Sequence, residues 1–256
     1  MSDATGMTRE ERVVLRASTA CSAATRAGGA TVLRVPEAPE SPMLNRVIGL
    51  GVDAPATEGD VDEALAAMGA GVTFYVAVAP RAQPAELSDW LRACGLEPGW
   101  GWMTFRRDVR PPAPAATKLR VVEADTAAHA EAFARIVRVS FELPEAVEPR
   151  FARMRDAAGD AGSHLDGDEP AGAGALFAAD GVAYLSFGAT VPAHRGKGAQ
   201  SALLAARIRH AAELACDIAI TETGERRDDR PRNSYRNILR AGFTEDAVTA
   251  HWLGRS

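Results

Sequence analysis

Lysine is almost missing from this chain of 256 residues: only Lys118 and Lys197 occur, and the remainder of the 29 basic side chains are arginine. Cysteine is also scarce. Cys21, Cys94 and Cys216 are widely spaced and form no CxxC pair, which excludes a disulfide framework and a zinc site. No stretch approaches the roughly 18 apolar residues that a membrane span requires. The first fifteen residues contain Asp3, Glu10 and Glu11 without a long apolar run, so no secretory signal is visible. Positive charge is not in excess either. A formal net charge of −5 argues against a general nucleic-acid binder, because neutralising phosphates needs a basic field. The expectation is a cytoplasmic protein that binds neither nucleic acid nor membrane. What is present is ordinary globular material, 46% hydrophobic and 25% charged. Single domains usually run about 100–200 residues, so the length suits one large domain or two small ones.

The clearest break is Arg110–Ala116, RPPAPAA, where closely spaced prolines bias the chain to extended geometry. It predicts a first domain at 1–110, a linker at 111–116 and a second domain at 117–256. In the second, Lys118–Ala124 reads as a strand, and Asp125 or Thr126 can cap a helix carrying Phe133, Ile136, Val137 and Phe141. Another helix surrounds Phe151 and Met154. Asp180-Gly181 is a hairpin signal between Ala171–Ala179 and Val182–Val191, with Ala183, Leu185, Phe187, Ala189 and Val191 expected on one face. A Gly-containing turn opens a helix through Leu204 and Ile208. A strand follows at Cys216–Ile220, then a helix ending at Gly242, then a strand near Ala247–Leu253. Gly242 falls where a helix cap needs positive φ.

The first half reads as a diverged repeat of the later part of that order. A helix is expected at Thr8–Arg26 and a strand at Val47–Val52. Asp60 and Glu63 have capping-box spacing at the head of a short helix. Then come strand Thr73–Val78, a helix from near Pro84 to Gly95, and strand Trp102–Phe105.

The segment that carries chemistry is Thr190–Ser201, TVPAHRGKGAQS, placed where a strand gives way to a helix. Glycines there let successive N–H groups converge, and the helix N-terminus adds partial positive charge. Arg195 and Lys197 add full charges. This suits a phosphate or pyrophosphate. It is neither a Walker loop, for lack of GxxxxGK[ST] spacing, nor a dinucleotide fingerprint, which would need a third Gly where Ser201 stands.

The segment resembles the acetyl-CoA-binding motif of the GNAT-type N-acetyltransferase family, Arg/Gln-x-x-Gly-x-Gly/Ala after a strand. Arg195, Gly196, Lys197, Gly198 and Ala199 match in register, while Gln200 departs at the sixth position. Asn233–Phe243, NSYRNILRAGF, matches the family's closing helix and Gly-Phe. The resemblance implies a duplicated α/β (α+β layered) fold with a mixed, mostly antiparallel central sheet flanked by helices, its first copy degenerate. It implies that Ala189, Thr190 and Val191 pair with the pantetheine arm, and that a backbone N–H there polarises the thioester. Amides of Arg195–Gln200 would hold the pyrophosphate, with Ser201 as an extra donor. Asn233 and Asn237 would contact the pantetheine or adenosine side. The implied reaction is direct attack on acetyl-CoA, without a metal, by a primary amine of a small molecule or peptide. The implied assembly is a monomer or homodimer.

The acid–base groups are less determined. Many family members place a Tyr four residues before the Gly of Gly-Phe, where Ile238 stands, and Tyr235 lies about one turn earlier on the same helix. A base is needed because the attacking amine starts mostly protonated. Glu222, at the end of a central strand, is the candidate, read against a solvated strand-end carboxylate. His194 reads as local packing and His164 as a surface turn residue. The run Arg226–Arg232 could meet the 3′-phosphate or merely be solvated. The tryptophans and Cys216 read as core. In the first half the equivalent turn, Ala54–Asp60 (APATEGD), carries acids and no base, so cofactor binding is expected only in the second. The rival is a non-catalytic acyl-CoA-binding or regulatory module.

Overall fold

The structure, a computed structural model, describes residues 6–112, 117–154, 161–166, 169–229 and 233–256. Residues 113–116 of the expected linker and 230–232 of the arginine run lie outside them. In chain order the elements are α1 (Arg9–Ala20), β1 (Ala23–Ala27), β2 (Ala30–Arg34), β3 (Arg46–Ile48), α2 (Glu58–Met68), β4 (Thr73–Val78), α3 (Leu87–Ala93), β5 (Glu97–Pro98) and β6 (Trp102–Asp108). They continue with β7 (Arg120–Glu123), α4 (Ala127–Ser140), α5 (Glu148–Ala152), β8 (Ala161–Asp166), β9 (Glu169–Ala179) and β10 (Val182–Thr190). The last are α6 (Ala199–Glu213), β11 (Ile218–Gly224), α7 (Asn233–Arg240) and β12 (Thr244–Arg255). Two compact units result. Unit 1 runs up to Met103 and takes back Ala247–Ser256; unit 2 is Thr104–Asp246. The division therefore falls within β6 and again within β12, whereas the proline run suggested a single division at 111–116.

In unit 1, β1, β2 and β3 pair antiparallel, β3 and β4 parallel, and β4 pairs antiparallel with the end of β12. Val61, Ala64 and Met68 of α2 and Leu87 and Leu91 of α3 pack against Val32, Val47, Phe74, Val76 and Trp252. Strand alternation puts Arg46 and Tyr75 on the opposite face, where Arg46 Nη2 donates to Ser18 Oγ of α1 at 2.7 Å. Residues 23–27 are a strand, not the end of the expected helix. Gly28 and Gly29, both at positive φ, form a two-residue hairpin turn that stops helical continuation. The box at the head of α2 is also three residues earlier than expected: Thr57 accepts from the Asp60 N–H at 3.2 Å, and Asp60 accepts from the Thr57 N–H at 2.8 Å.

Unit 2 repeats the connectivity with longer elements. β7, β8, β9 and β10 pair antiparallel in that order and β10 pairs parallel with β11, joined through α6. Phe133, Ile136 and Val137 of α4 are buried, as are Leu203, Leu204, Ile208 and Ala211 of α6. Each large side chain buried to that degree contributes roughly 1.5–3 kcal/mol. The Asp180-Gly181 hairpin and the positive-φ cap at Gly242 stand where expected. β11 begins at Ile218, two residues late. Ala215 takes a left-handed conformation at φ 56°, and Cys216 N–H closes α6 on Ala211 O at 3.0 Å, so Cys216 belongs to the helix cap. His164 lies in β8 rather than in a turn. The architecture is a mixed α/β fold with a largely antiparallel sheet flanked by helices.

Candidate functional site

β10 and β11 run parallel only from Val182–Ile218 to Leu185–Thr221. Past that point β10 continues to Thr190 and β11 to Gly224 without pairing to one another. On its other side, β10 steps from Ser186↔Ala175 to Ala189↔Ala173. Phe187, at φ 49°, and Gly188 therefore form a bulge with no register partner in either neighbouring strand. The expected single face from Ala183 to Val191 is broken here. The Phe187 ring turns to the α4–α5 side, edge-on to Phe151 at 5.2 Å and Phe141 at 6.4 Å.

Beyond Thr190 a single turn at Pro192–His194 leads to Arg195, Gly196, Lys197 and Gly198. Gly196 and Gly198 sit at φ 80° and 83°, which other residues adopt only with strain. Gly198 is the N-cap of α6 and supplies no side-chain capping bond, so the N–H groups of Ala199, Gln200 and Ser201 are not taken by a cap side chain. Arg195, Gly196, Lys197 and Ser201 are exposed, and Ala189 and Ala199 are buried. Thr117 donates to Lys197 O at 2.7 Å and holds the outer side of the loop. Gln200, the departure from the motif, donates from Nε2 to Thr190 Oγ1 at 3.0 Å. Its side chain turns back to the strand end, so the sixth position is not a bulky group in the cradle.

Glu222 is the first β11 residue past the paired region. Tyr184 donates its hydroxyl proton to Glu222 Oε2 at 2.8 Å, and Thr104 donates to Oε1 at 3.3 Å. Each oxygen keeps a second lone pair, and the side chain remains partly exposed. The carboxylate is thus fixed at the mouth of the diverging strands. Tyr184 and Thr104 escaped the sequence reading: Tyr184 looks like a packing residue of an alternating strand, and Thr104 is 118 positions from Glu222.

Tyr235 is held elsewhere. Its buried ring lies edge-on to Phe105 at 4.8 Å, and its hydroxyl donates to Glu245 at 2.6 Å. Burial first, then the Glu245 carboxylate, pushes its pKa up to about 12. Asn233 is exposed and its Oδ1 accepts from Arg236 at 2.8 Å, while Asn237 is half-buried. Ile238 is buried. Among the described residues there is no group of three or more His, Cys, Asp or Glu suited to a metal, and no helix long and apolar enough to cross a membrane.

Residues 128–236, which include the bulge, the glycine loop and Glu222, match the model of the Acetyltransferase (GNAT) family. No curated protein matches the sequence. A GCN5-related N-acetyltransferase from Kribbella flavida is similar with a TM-score of 0.67 at 20% identity, over 97% of this chain and 95% of that one. Another from Sphaerobacter thermophilus gives 0.68 at 14% identity, over 98% and 92%. A tandem GNAT protein from the clavulanic acid biosynthesis pathway gives 0.57 at 16% identity, over 90% and 80%. The chain has the GNAT acetyltransferase fold, and the likeness spans both units.

Proposed function

We propose that unit 2 is an acetyltransferase that moves an acetyl group from acetyl-CoA to a primary amine, and that unit 1 is a degenerate copy without a cofactor site. The observation that supports this most is the open edge of β10. The strand outruns its parallel partner, bulges at Phe187-Gly188, and ends in a cationic glycine loop at an uncapped helix start. The residues fit the cofactor: Gly196 and Gly198 leave a cradle free of side chains, and Arg195 and Lys197 complement phosphate charge. Acetyl-CoA, when bound, supplies an acyl group already activated as a thioester.

The chain's own residues do the remaining work. Amides from Arg195 to Gln200, with Ser201, hold the pyrophosphate. The strand edge at Ala189–Val191 aligns the pantetheine arm, and a backbone N–H of that region donates to the carbonyl oxygen as negative charge builds on it. Asn233 and Asn237 flank the arm from α7. Glu222, oriented by Tyr184 and Thr104, takes the proton that the ammonium acceptor must lose. Tyr235 would serve as the acid toward the leaving thiolate only by giving up its bond to Glu245. In unit 1 the corresponding turn is filled from within: Gln83 N–H donates to Gly51 O at 2.7 Å, and Gln83 O accepts from Ala56 N–H at 2.8 Å. Glu58 and Asp60 at that turn repel phosphate.

The test is titration calorimetry with acetyl-CoA combined with thiol release over a panel of amines. One equivalent per chain and release with any acceptor are expected; two equivalents would sink the assignment of unit 1. Glu222→Gln should lower kcat by about 10²- to 10³-fold with acetyl-CoA affinity within about threefold of the parent. A second reading, a non-catalytic acyl-CoA-binding module, is favoured by the buried Ile238 at the family's Tyr position and by the commitment of Tyr235 to Glu245. Binding without thiol release for every amine would establish it.

A further inference from the structure

Arg207 lies in α6, 6% exposed, with no carboxylate paired to it among the described residues. Its donors go to backbone carbonyls instead: Nε to Leu203 O, and Nη1 to both Ala175 O and Ser186 O, each at 3.1 Å. A buried, unpaired cation is expensive, and burial alone pulls its pKa down to about 10. The surrounding sequence is shaped to admit it. A Cβ at Gly174 would stand 2.7 Å from the guanidinium carbon, and one at Gly188 would stand 3.6 Å from Nη2. This accounts for a glycine at 174 in the middle of a strand, where it otherwise weakens packing.

The two carbonyls bridged by Nη1 belong to the pair Ser186↔Ala175, the last one before the register of β9 and β10 shifts. The guanidinium therefore fastens the near end of the bulge from the α6 side. Phe187 fastens it from the other, against Phe141 and Phe151. The stretch so fastened, Phe187 and Gly188, is the one that neither neighbouring strand pairs.

We propose that Arg207 is a positioning residue for acyl-CoA: its buried guanidinium holds the β10 bulge in the conformation that presents unpaired backbone to the pantetheine–thioester portion, without touching the ligand itself. This rests on the acetyl-CoA reading of unit 2. The phosphate loop at 195–201 is a separate attachment, so the two parts of the ligand should respond differently to Arg207. Adenosine 3′,5′-bisphosphate needs no bulge.

The experiment compares wild type, Arg207→Met and Arg207→Lys by calorimetry with acetyl-CoA and with adenosine 3′,5′-bisphosphate, alongside amide hydrogen exchange of residues 186–189. In Arg207→Met, acetyl-CoA affinity should fall about tenfold or more while bisphosphate affinity stays within about twofold, and exchange at Ser186 and Ala189, the paired residues that flank the bulge, should accelerate. Arg207→Lys, which keeps the charge and one donor, should recover part of both; it carries the same test if the Met variant does not fold. An unchanged affinity ratio with unchanged exchange in a folded variant would overturn the proposal. If wild type binds neither ligand, the acetyl-CoA reading fails, and faster exchange at the bulge still separates that failure from failure of the clamp.

Discussion

The turn after β3 in unit 1 and the turn after β10 in unit 2 hold the same place in the connectivity, between a strand and the helix leading to its parallel neighbour. Their contents are opposite. All three residues of β3 pair on both sides, so the strand stops where its hydrogen bonding stops. β10 runs on past Leu185 with its β11 side unpaired, held there only by β9. At the helix starts, Thr57 and Asp60 consume each other's amides in unit 1, and the Thr57 bonds hold the Asp60 pKa below its ordinary value. Gly198 leaves the amides of α6 uncapped in unit 2. Backbone also fills the first turn: a Cβ on Gly51 would meet Gln83 O at 2.3 Å, whereas one on Gly196 would meet nothing within 4 Å. Shared topology does not make shared binding; what the turn leaves unfilled does.

The strongest way to break this comparison is Gly198→Glu. A charged side chain at a positive-φ position inside the cradle should reduce acetyl-CoA affinity by about a hundredfold or more, read by calorimetry. Persistence of binding would move the site elsewhere, unit 1 included.

A second test uses protons and reads unit 1 alone, because all four tryptophans (Trp90, Trp100, Trp102 and Trp252) belong to it. His251 is 3% exposed, stacked on Tyr75 at 4.8 Å, with Nδ1 3.1 Å from Trp100 O. Burial, then the Arg46 guanidinium, lowers its pKa from 6.5 to about 4. Below pH 6.5 the unfolded chain takes up a proton that the folded unit refuses until about pH 4. The stabilisation is complete above 6.5 and is lost as pH falls through that window, by ~3 kcal/mol in all. Urea unfolding followed by tryptophan fluorescence should show this slope, and His251→Phe should flatten it. The smallest effect is expected from Thr57→Ala, which frees the amides of α2 at a cost of ~1 kcal/mol. Acetyl-CoA stoichiometry should stay at one; a second equivalent would mean that the cap alone keeps unit 1 closed.

Local chemistry was readable in the sequence wherever a residue type admits few conformations. The Asp180-Gly181 turn, the Gly242 cap and the loop from Arg195 to Gly198 are of this kind. Where an ordinary residue takes the unusual conformation, the signal fades: Ala215 caps α6 with no glycine to mark it, and at the bulge the positive φ falls on Phe187 rather than on its neighbour Gly188. β1, AATRA, has too little hydrophobic contrast to announce a strand, and its hairpin forms because of Gly28-Gly29. Glu222 could be named from its strand end. Its partners Tyr184 and Thr104, and the carbonyls that receive Arg207, are set by long-range register, which no local pattern encodes.

β12 starts in unit 2 and finishes beside β4, where Ala250–Arg255 pair with Val78–Thr73 and Ser256 N–H reaches Val72 O at 3.1 Å. Order of synthesis and order of completion are therefore inverted. Unit 1 leaves the ribosome first, yet the edge of β4 stays uncovered until residues 247–256 have been made, after the whole of unit 2. A chain that stopped before residue 247 would leave that edge of β4 uncovered, as a template for aggregation.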